Sequence, residues 1–330
     1  ILILFGNFNP GELPFHLCNM ALFLASVYLL TDNRFVGVVY VSLCVPAAVL
    51  AVIFPGMNLI PAVILSVVFM ILYVIFGGTK GSGTVFFSGC NLRCVFCQNA
   101  EIAADGLGEE ISDTMLAEIM FRLQARGVHN INLVTPSHYI RQLIPVLQSV
   151  RQSGLRIPIV WNSSAYESVE MLRRLEGLVD IYLPDLKYLH PETAAKYSRA
   201  ADYPDVAKAA LAEMSAQVGA PQFDPDTGYM TRGVQVRHLV LPGHAQESRE
   251  ILCYLHKTYG AKIGVSIMNQ YTPMPKTAAD PLLSRRVTPH EYDTVVRYAM
   301  QIGMTDALIQ EGEAASESFI PPFSGKLMLP

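Results

Sequence analysis

The chain has 330 residues and a formal net charge of −4, and its length predicts about two domains. No run of basic residues occurs, so the charge pattern gives no support for a nucleic-acid partner. Of its 24 basic and 28 acidic side chains, only Glu12, Asp32 and Arg34 lie in the first 79 residues, so an apolar segment precedes a polar one. The chain begins with Ile, which indicates either a processed N-terminus or a fragment.

Three long apolar runs near the N-terminus predict membrane helices. They cover 17–30, 35–54 and 59–76, and the last two hold 20 and 18 residues without a charge. About 20 apolar residues span a bilayer as a helix, so we expect two or three transmembrane α-helices. Arg34 and Lys80 would lie on the cytoplasmic side by the positive-inside tendency, which places the following domain in the cytoplasm. A buried soluble core is the alternative for these runs.

The stretch LPFHLCNMALFLASVYLLTDNRF, at 13–35, resembles part of the YwaF-type family of small integral membrane proteins. The resemblance implies a membrane location, over 15–76, and no particular activity. Within it, His16 is either functional or an interfacial, hydrogen-bonded histidine. We expect a membrane segment at 1–78 and a second domain at 79–330, joined either by a natural fusion or by an assembly artefact.

After residue 80 the pattern changes to short apolar strands alternating with amphipathic helices. This alternation predicts βαβ units and a parallel sheet, which we interpret as an α/β fold with a full or partial TIM-type barrel. The chemistry of such barrels collects at the carboxyl ends of the strands. Strands are predicted at 84–88, 131–134, 157–161, 179–183, 234–241, 262–267 and 306–310, and helices at 113–126, 140–152, 166–175, 205–218, 247–258 and 289–301.

Three of the six cysteines follow the first predicted strand directly. The run SGCNLRCVFCQN spaces Cys90, Cys94 and Cys97 as C-x3-C-x2-C. Three thiolates on one tight loop can bind three irons of a [4Fe–4S] cube, which leaves the fourth iron without a protein ligand. An open coordination position lets a metal act on a substrate, and this one suits the amino and carboxylate groups of S-adenosylmethionine (SAM). Electron transfer into the sulfonium would then break a C–S bond and release a 5′-deoxyadenosyl radical.

A structural zinc site and a simple electron-transfer cluster are the other interpretations of this motif. Zinc needs a fourth ligand at finger-like spacing, and no CxxC or HxxxH partner follows. Clustered thiols in a chain of this length indicate metal binding in a reducing compartment rather than disulfides. The scattered Cys18, Cys44 and Cys253 are expected to pack as small apolar residues.

The cysteine run resembles the radical SAM superfamily. The segment 78–323 resembles one branch, the pyruvate formate-lyase-activating-enzyme-like proteins of PflX type, through the stretches GTKGSGTVFFSGCNLRCVFCQNAEI, HNINLVTPSHY, VDIYLPDLKY, VRHLVLPG, SIMNQYTP and ASESFIPPF. The resemblance implies a radical SAM barrel, a [4Fe–4S] cluster on the three cysteines, and SAM bound at the strand ends.

The resemblance also implies cofactor-binding roles, with a structural alternative at most positions. Phe96 would lie beside the adenine or pack the loop, and Asn162 and Ser164 would bind the ribose or carboxylate or cap the next helix. Lys187 would pair with the SAM carboxylate and Asp185 would orient it; we do not expect these two to pair with each other. Arg237 would bind a carboxylate of SAM or substrate, or of the protein. Asn99 and Thr135 complete the predicted cofactor site, Thr135 standing where the superfamily often carries Gly-Gly-Glu.

Residues on the substrate side are predicted less directly. His138 is either an acid or base for the substrate or a surface or packing residue. Asn269, Gln270 and Tyr271, after the sixth strand, are expected to line the substrate side.

The leading hypothesis is an iron–sulfur oxidoreductase that cleaves SAM reductively and abstracts a hydrogen atom. The resemblance implies as its target a backbone glycine of a glycyl-radical enzyme, and a small molecule or another protein is the open alternative. The expected electron donor is a protein such as flavodoxin or ferredoxin. The first alternative is a membrane-anchored electron-transfer or sensing module without SAM turnover, favoured by the missing Gly-Gly-Glu. The second is a non-functional fusion product.

Overall fold

The computed structural model describes residues 81–310. The predicted transmembrane helices, His16, Cys18 and Cys44 lie outside the described residues. None of the helices within the described range is both long and apolar enough to cross a bilayer.

The described residues alternate strands with helices, as the sequence pattern predicts. The strands are β1 (Gly83–Phe86), β2 (Ile131–Val134), β3 (Ile159–Ser163), β4 (Ile181–Pro184), β5 (Gln222–Phe223), β6 (Met230–Leu239), β7 (Gly264–Met268) and β8 (Leu308–Ile309). The α-helices are α1 (Ala100–Ala103), α2 (Asp113–Ala125), α3 (Ile140–Gln152), α4 (Val169–Arg173), α5 (Pro191–Ser198), α6 (Tyr203–Val218), α7 (Ala245–Tyr259) and α8 (Pro289–Gln301).

The sheet runs in the order β1-β2-β3-β4-β6-β7-β8. All of these neighbours are parallel, and the short β5 pairs antiparallel with β6. Because β1 and β8 form its two edges, the sheet does not close within residues 81–310, and its parallel strands bring their carboxyl ends together at one rim. This arrangement confirms the parallel α/β prediction and places the cysteine loop, which follows β1, at the carboxyl rim.

Helix boundaries follow local signals in the sequence. Ser112 caps α2 by accepting a hydrogen bond from Met115 N–H at 3.2 Å. Thr288 and Glu291 form a reciprocal capping box at the start of α8. Such caps satisfy N–H groups that the helix itself leaves unpaired, so both helices begin where the sequence predicts.

Alternation along the strands separates a buried outer face from the inner face of the barrel. On β6, Val234, Val236 and His238 are buried against the helices. The residues between them point inward, and Arg237 pairs in register with Ser266 of β7. Because in-register residues of parallel strands share a face, Asn162 and Leu183 also point into the barrel.

Candidate active site

The turn before the cysteine motif requires glycine. Gly89 has φ +87°, and a Cβ added there would lie 2.8 Å from Nε2 of His138. The same nitrogen lies 2.7 Å from the carbonyl oxygen of Ser88, to which it donates a hydrogen bond. His138 therefore supports the start of the cysteine loop, in line with the packing alternative; its role as an acid or base stays a prediction.

Helix α5 holds the middle of the cysteine loop. Val95 N–H donates to the Tyr197 carbonyl at 2.9 Å, and Arg93 N–H donates to the Ser198 carbonyl at 3.3 Å. These carbonyls are available because the helix ends at Arg199, which has a left-handed backbone with φ 55°. Terminal carbonyls of a helix need partners outside it, and the loop supplies them.

Further hydrogen bonds attach the loop to two other strand ends. Asn91 Nδ2 donates to the Tyr166 carbonyl, beyond β3, at 2.5 Å. Gln98 Nε2 donates to the Gln270 carbonyl, beyond β7, at 2.8 Å. The loop therefore lies across the carboxyl rim of the barrel.

The cysteine thiols interact electrostatically with one another. The pKa of Cys97 is raised to about 11, chiefly by burial and also by the nearby Cys94 and Cys90, while the Asn99 N–H and Lys187 act to lower it. Burial also raises the pKa of Cys94, although Lys187 and the Ser198 hydroxyl lower it. A raised pKa favours the protonated thiol, so these cysteines need a cationic partner, such as a bound metal, to become thiolates.

The thiols are not arranged as ligands of a single ion. Within residues 81–310, no three or more His, Cys, Asp or Glu side chains converge as such a set. In a [4Fe–4S] cube each thiolate binds a different iron, so the ligands stand further apart than those of one zinc ion. The donor set of three thiols on one loop is what a cube with one open iron requires, whereas a finger-like zinc site requires a fourth protein ligand.

A charged network fills the inner face next to the thiols. Arg237 Nη2 lies 2.7 Å from Asp185 Oδ1 and donates to Asn162 Oδ1 at 2.7 Å. Lys187 Nζ donates to Asp185 Oδ2 at 2.5 Å. The expectation that Asp185 and Lys187 would not pair is therefore wrong, because the chain leaves the extended strand after Pro184 and the two side chains converge.

Opposite charges control the ionisation of this network. Burial would raise the pKa of Asp185, but Arg237 and Lys187 outweigh it and hold that pKa below its usual value. Burial would lower the pKa of Lys187, but Asp185 and Cys94 outweigh it and raise that pKa. Two cations and one anion leave the network with one uncompensated positive charge facing the thiols, which suits an anionic ligand.

Three buried polar atoms of predicted cofactor-binding residues lack a hydrogen-bond partner in the described structure. They are Ser164 Oγ, Arg237 Nε and Asp185 Oδ1, the last of which has only its ion pair with Arg237. Buried polar groups are normally paired, so unpaired ones within the described chain indicate a place for a bound polar molecule. Together with the positive network, these atoms fit a ligand that carries hydroxyl and carboxylate groups, as SAM does.

Two residues at the ends of β2 and β3 have left-handed backbones. Thr135 has φ 59° and Ala165 has φ 58°. A β-branched residue in this region is an outlier, and such strain concentrates at functional sites. The Thr135 N–H donates to the Asn162 carbonyl at 2.9 Å, which fixes the two strand ends together.

Other predicted residues occupy packing positions. Phe96 is 7% exposed and its ring lies edge-on to Tyr271, with 6.1 Å between ring centroids. Tyr271 is buried and its hydroxyl donates to the Leu283 carbonyl, so it does not line the substrate side as expected. Asn99 precedes α1 without a side-chain cap. Cys253 lies outside the cysteine loop, on α7.

Sequence reasoning missed two residues that hold the rim together. Tyr203 is fully buried, and its hydroxyl contacts the Ser164 and Asp185 carbonyls at 2.9 and 2.8 Å and accepts from Lys187 N–H at 3.0 Å. Glu167 is 4% exposed and accepts from Trp161 Nε1 and Ser163 Oγ, each at 2.7 Å. The signal for Glu167 was the single tryptophan, whose N–H needs a partner when buried.

Two family models match the chain. That of the Radical SAM superfamily matches residues 84–219, and that of the TMEM164 family matches residues 2–80. The N-terminal match is therefore to the TMEM164 family and not to the YwaF-type family that its sequence resembles. Proteins of the radical SAM superfamily bind a [4Fe–4S] cluster and SAM.

One curated protein is similar to this chain over most of its length. An uncharacterized protein of Methanocaldococcus jannaschii, MJ0674, is 29% identical over 229 residues, which are 66% of this chain and 62% of that protein. The chain therefore spans less than two thirds of this curated relative.

Two solved structures share the fold. SuiB of Streptococcus suis, bound to the precursor peptide SuiA, has a TM-score of 0.50 at 11% identity and covers 78% of this chain and 55% of its own. The FeFe-hydrogenase maturase HydG of Carboxydothermus hydrogenoformans has a TM-score of 0.50 at 12% identity. The match covers 94% of this chain and 73% of the HydG chain. These structures are similar to this chain in fold, and the Radical SAM superfamily model matches its residues 84–219.

Proposed function

We propose that this protein is a radical SAM enzyme that cleaves SAM reductively and abstracts a hydrogen atom from its substrate. The observation that carries the proposal is the position of Cys90, Cys94 and Cys97 on one loop at the carboxyl rim, beside a positively charged network. When bound, the cluster and SAM would supply an electron-driven C–S cleavage.

The chain's own residues bind and orient the reactants. Cys90, Cys94 and Cys97 hold the cluster, and Lys187 and Arg237 attract a carboxylate to the inner face. Ser164 Oγ and Arg237 Nε offer unused hydrogen-bonding capacity to that ligand.

The remaining predicted residues contribute indirectly. Asn162 and Asp185 fix the guanidinium of Arg237, and the strained Thr135 fixes the backbone next to Asn162. Phe96 packs against Tyr271, and Asn99 lies between the last cysteine and α1. The predicted contact of Phe96 with the adenine stays a prediction.

The reaction balances with one external electron. With the cluster and SAM bound, one electron from a flavodoxin- or ferredoxin-like donor and one hydrogen atom from the substrate would convert SAM to methionine and 5′-deoxyadenosine, and the substrate would be left as a radical.

We further propose a protein substrate. The stretches that resemble PflX-type activating enzymes support a backbone glycine of a partner enzyme as the hydrogen donor. SuiB, which shares the fold, was solved with a precursor peptide. Glycyl-radical activation is therefore the form of the reaction that we propose.

The two family matches support a two-domain chain. They meet between residues 80 and 84, close to the boundary that we place at 78/79. We propose that 1–78 anchors the radical SAM domain to a membrane, with that domain on the cytoplasmic side. The apolar runs of the sequence support the anchor.

The test is anaerobic reconstitution of the full chain with iron and sulfide, followed by dithionite, SAM and a chromatographic assay of 5′-deoxyadenosine. We expect product from the wild type and none from Cys97→Ala. The matched control is Cys253→Ala, which removes a thiol outside the cysteine loop and is expected to retain turnover. A stable cluster without SAM cleavage would instead support the electron-transfer or sensing module, and turnover by Cys97→Ala would refute the assignment.

A further inference from the structure

The last residue of α5 presents its hydroxyl to a predicted cluster ligand. Ser198 Oγ lies 3.0 Å from Cys94 Sγ and donates a hydrogen bond to it. Ser198 is only 1% exposed, so bulk water does not compete for this contact. The hydroxyl is therefore a fixed donor to one sulfur of the cysteine loop.

A second buried hydroxyl, that of Tyr188, forms a hydrogen bond with the Ser198 hydroxyl. The Tyr188 hydroxyl oxygen lies 2.9 Å from Ser198 Oγ, and Tyr188 is fully buried. A hydroxyl carries one hydrogen. Since that of Ser198 points to sulfur, Tyr188 must be the donor to Ser198. The hydrogen bonds form a directed chain from Tyr188 through Ser198 to Cys94, and such chains strengthen each member.

The backbone fixes both ends of this chain. The Ser198 carbonyl accepts from Arg93 N–H, and the preceding carbonyl, of Tyr197, accepts from Val95 N–H. These two donors flank Cys94 in sequence, so the hydroxyl and the sulfur are held by neighbouring groups of the same two segments. The Tyr188 ring lies edge-on to Tyr203, with 5.5 Å between centroids. The backbone of Ser198 therefore cannot move away from the cysteine loop without breaking these hydrogen bonds.

We propose that Ser198, supported by Tyr188, raises the reduction potential of the cluster by donating a hydrogen bond to the Cys94 thiolate. This inference rests on the proposed function, since it needs a cluster on Cys94. Reduction adds negative charge that spreads onto the sulfur ligands, and a donor to such a sulfur stabilises the reduced form more than the oxidised form. Ser198 is thus a positioning residue that acts through Cys94.

The experiment measures the midpoint potential of the cluster in the reconstituted full chain, by redox titration followed by electron paramagnetic resonance. We expect Ser198→Ala to bind the same amount of iron as the wild type, with a midpoint shifted to more negative potential. Tyr188→Phe removes the distal hydroxyl only and should shift the midpoint in the same direction by less. Ser198→Thr keeps a hydroxyl and should stay closer to the wild type than Ser198→Ala.

The matched control is Ser248→Ala. Ser248 is 2% exposed and its hydroxyl lies 2.9 Å from His238 Nε2, so the same atoms are removed from another buried hydrogen bond. This control should leave the midpoint unchanged, which separates an effect on the sulfur from a general effect of losing a buried hydroxyl.

The outcomes distinguish the inference from the proposed function. A wild type that binds no [4Fe–4S] cluster overturns both. A Ser198→Ala protein that holds its cluster at the potential of Ser248→Ala overturns the inference alone. If Ser198→Ala cannot hold a cluster, Tyr188→Phe decides: a negative shift supports the inference, and an unchanged midpoint overturns it.

Discussion

The guanidinium of Arg237 lies 2.7 Å from Oδ1 of Asp185, and this ion pair joins β6 to the segment that follows β4. Asp185 is the only anion that we find in the network, and it faces both Arg237 and Lys187 in the described structure. The side chains are 17–25% exposed, so the pair is largely shielded from water. The charge balance of this network therefore depends on a single carboxylate.

Asp185→Asn should destabilise the domain, because it leaves two neighbouring cations without their anion. We expect a loss of roughly 2 kcal/mol in the free energy of unfolding, less than the 3–5 kcal/mol typical of a fully buried pair, since some exposure remains. Urea unfolding at neutral pH measures it. Glu118→Gln is the control, because its pair with Arg122 is about half exposed and should contribute little. Equal losses in the two variants would contradict the prediction.

The same carboxylate predicts a pH dependence. Because the pKa of Asp185 is held below its ordinary value, its stabilising contribution is complete above about pH 4, the ordinary Asp pKa, and is lost as pH falls through the lower folded pKa. The difference in free energy of unfolding between the wild type and Asp185→Asn should therefore shrink on acidification below that pH. A difference that stays constant down to acid unfolding would contradict this assignment.

Glu167 predicts the opposite pH dependence. Burial raises its pKa, and the hydrogen bonds from Ser163 and Trp161 only partly offset this. The folded state then holds the proton more tightly than the unfolded state, so stability falls as pH rises from about 4.3, the ordinary Glu pKa, to the raised folded value. Glu167→Gln lacks this proton and should show a flatter pH profile in urea unfolding. Parallel profiles for the two proteins would show that Glu167 is not the titrating group.

The sequence predicts the parts of this fold that depend on local signals. Helices 140–152 and 289–301 have the predicted bounds, because apolar periodicity and the Thr288–Glu291 capping box are local features. Helix α5 was missed, since its eight residues carry a weak pattern and its end is fixed by the cysteine loop. The contribution of Tyr203 was also hidden, because its partners at 164 and 185 are 39 and 18 residues away in the chain.

Among the site residues, too, local features could be predicted and contacts between separate strand ends could not. The three cysteines were evident from spacing alone, because one tight loop carries them all. The Asp185–Lys187 pair was not, since spacing rules for an extended strand fail where the chain leaves the strand after Pro184. Pairing of polar groups at a rim depends on which strand ends meet, and this requires the tertiary structure.

Thr135→Gly tests whether the Thr135 side chain, which the chain holds in a strained backbone after β2, contributes to ligand binding. Glycine adopts positive φ freely, so removing Thr135 from φ 59° should relieve strain of about 1–3 kcal/mol, partly offset by the greater freedom of glycine in the unfolded chain. We expect unchanged or higher stability in urea unfolding, together with weaker SAM binding by the reconstituted protein. Ala165→Gly, at φ 58°, is the matched control and should keep SAM affinity. If both variants bind SAM as the wild type does, the Thr135 side chain has no role in the site.

Gly89→Ala tests the turn that begins the cysteine loop. A Cβ at Gly89 would lie 2.8 Å from His138 Nε2, closer than van der Waals contact allows, and φ is +87°. Either His138 or the loop must move, so we expect less iron bound after reconstitution, in addition to about 1 kcal/mol lost through the backbone conformation. Gly154→Ala, at φ +97° with nothing within 4 Å of the added carbon, should suffer the backbone cost and keep its iron. Because the two glycines differ in the contact with His138 and not in the sign of φ, equal iron contents would show that this close approach does not position the cysteines.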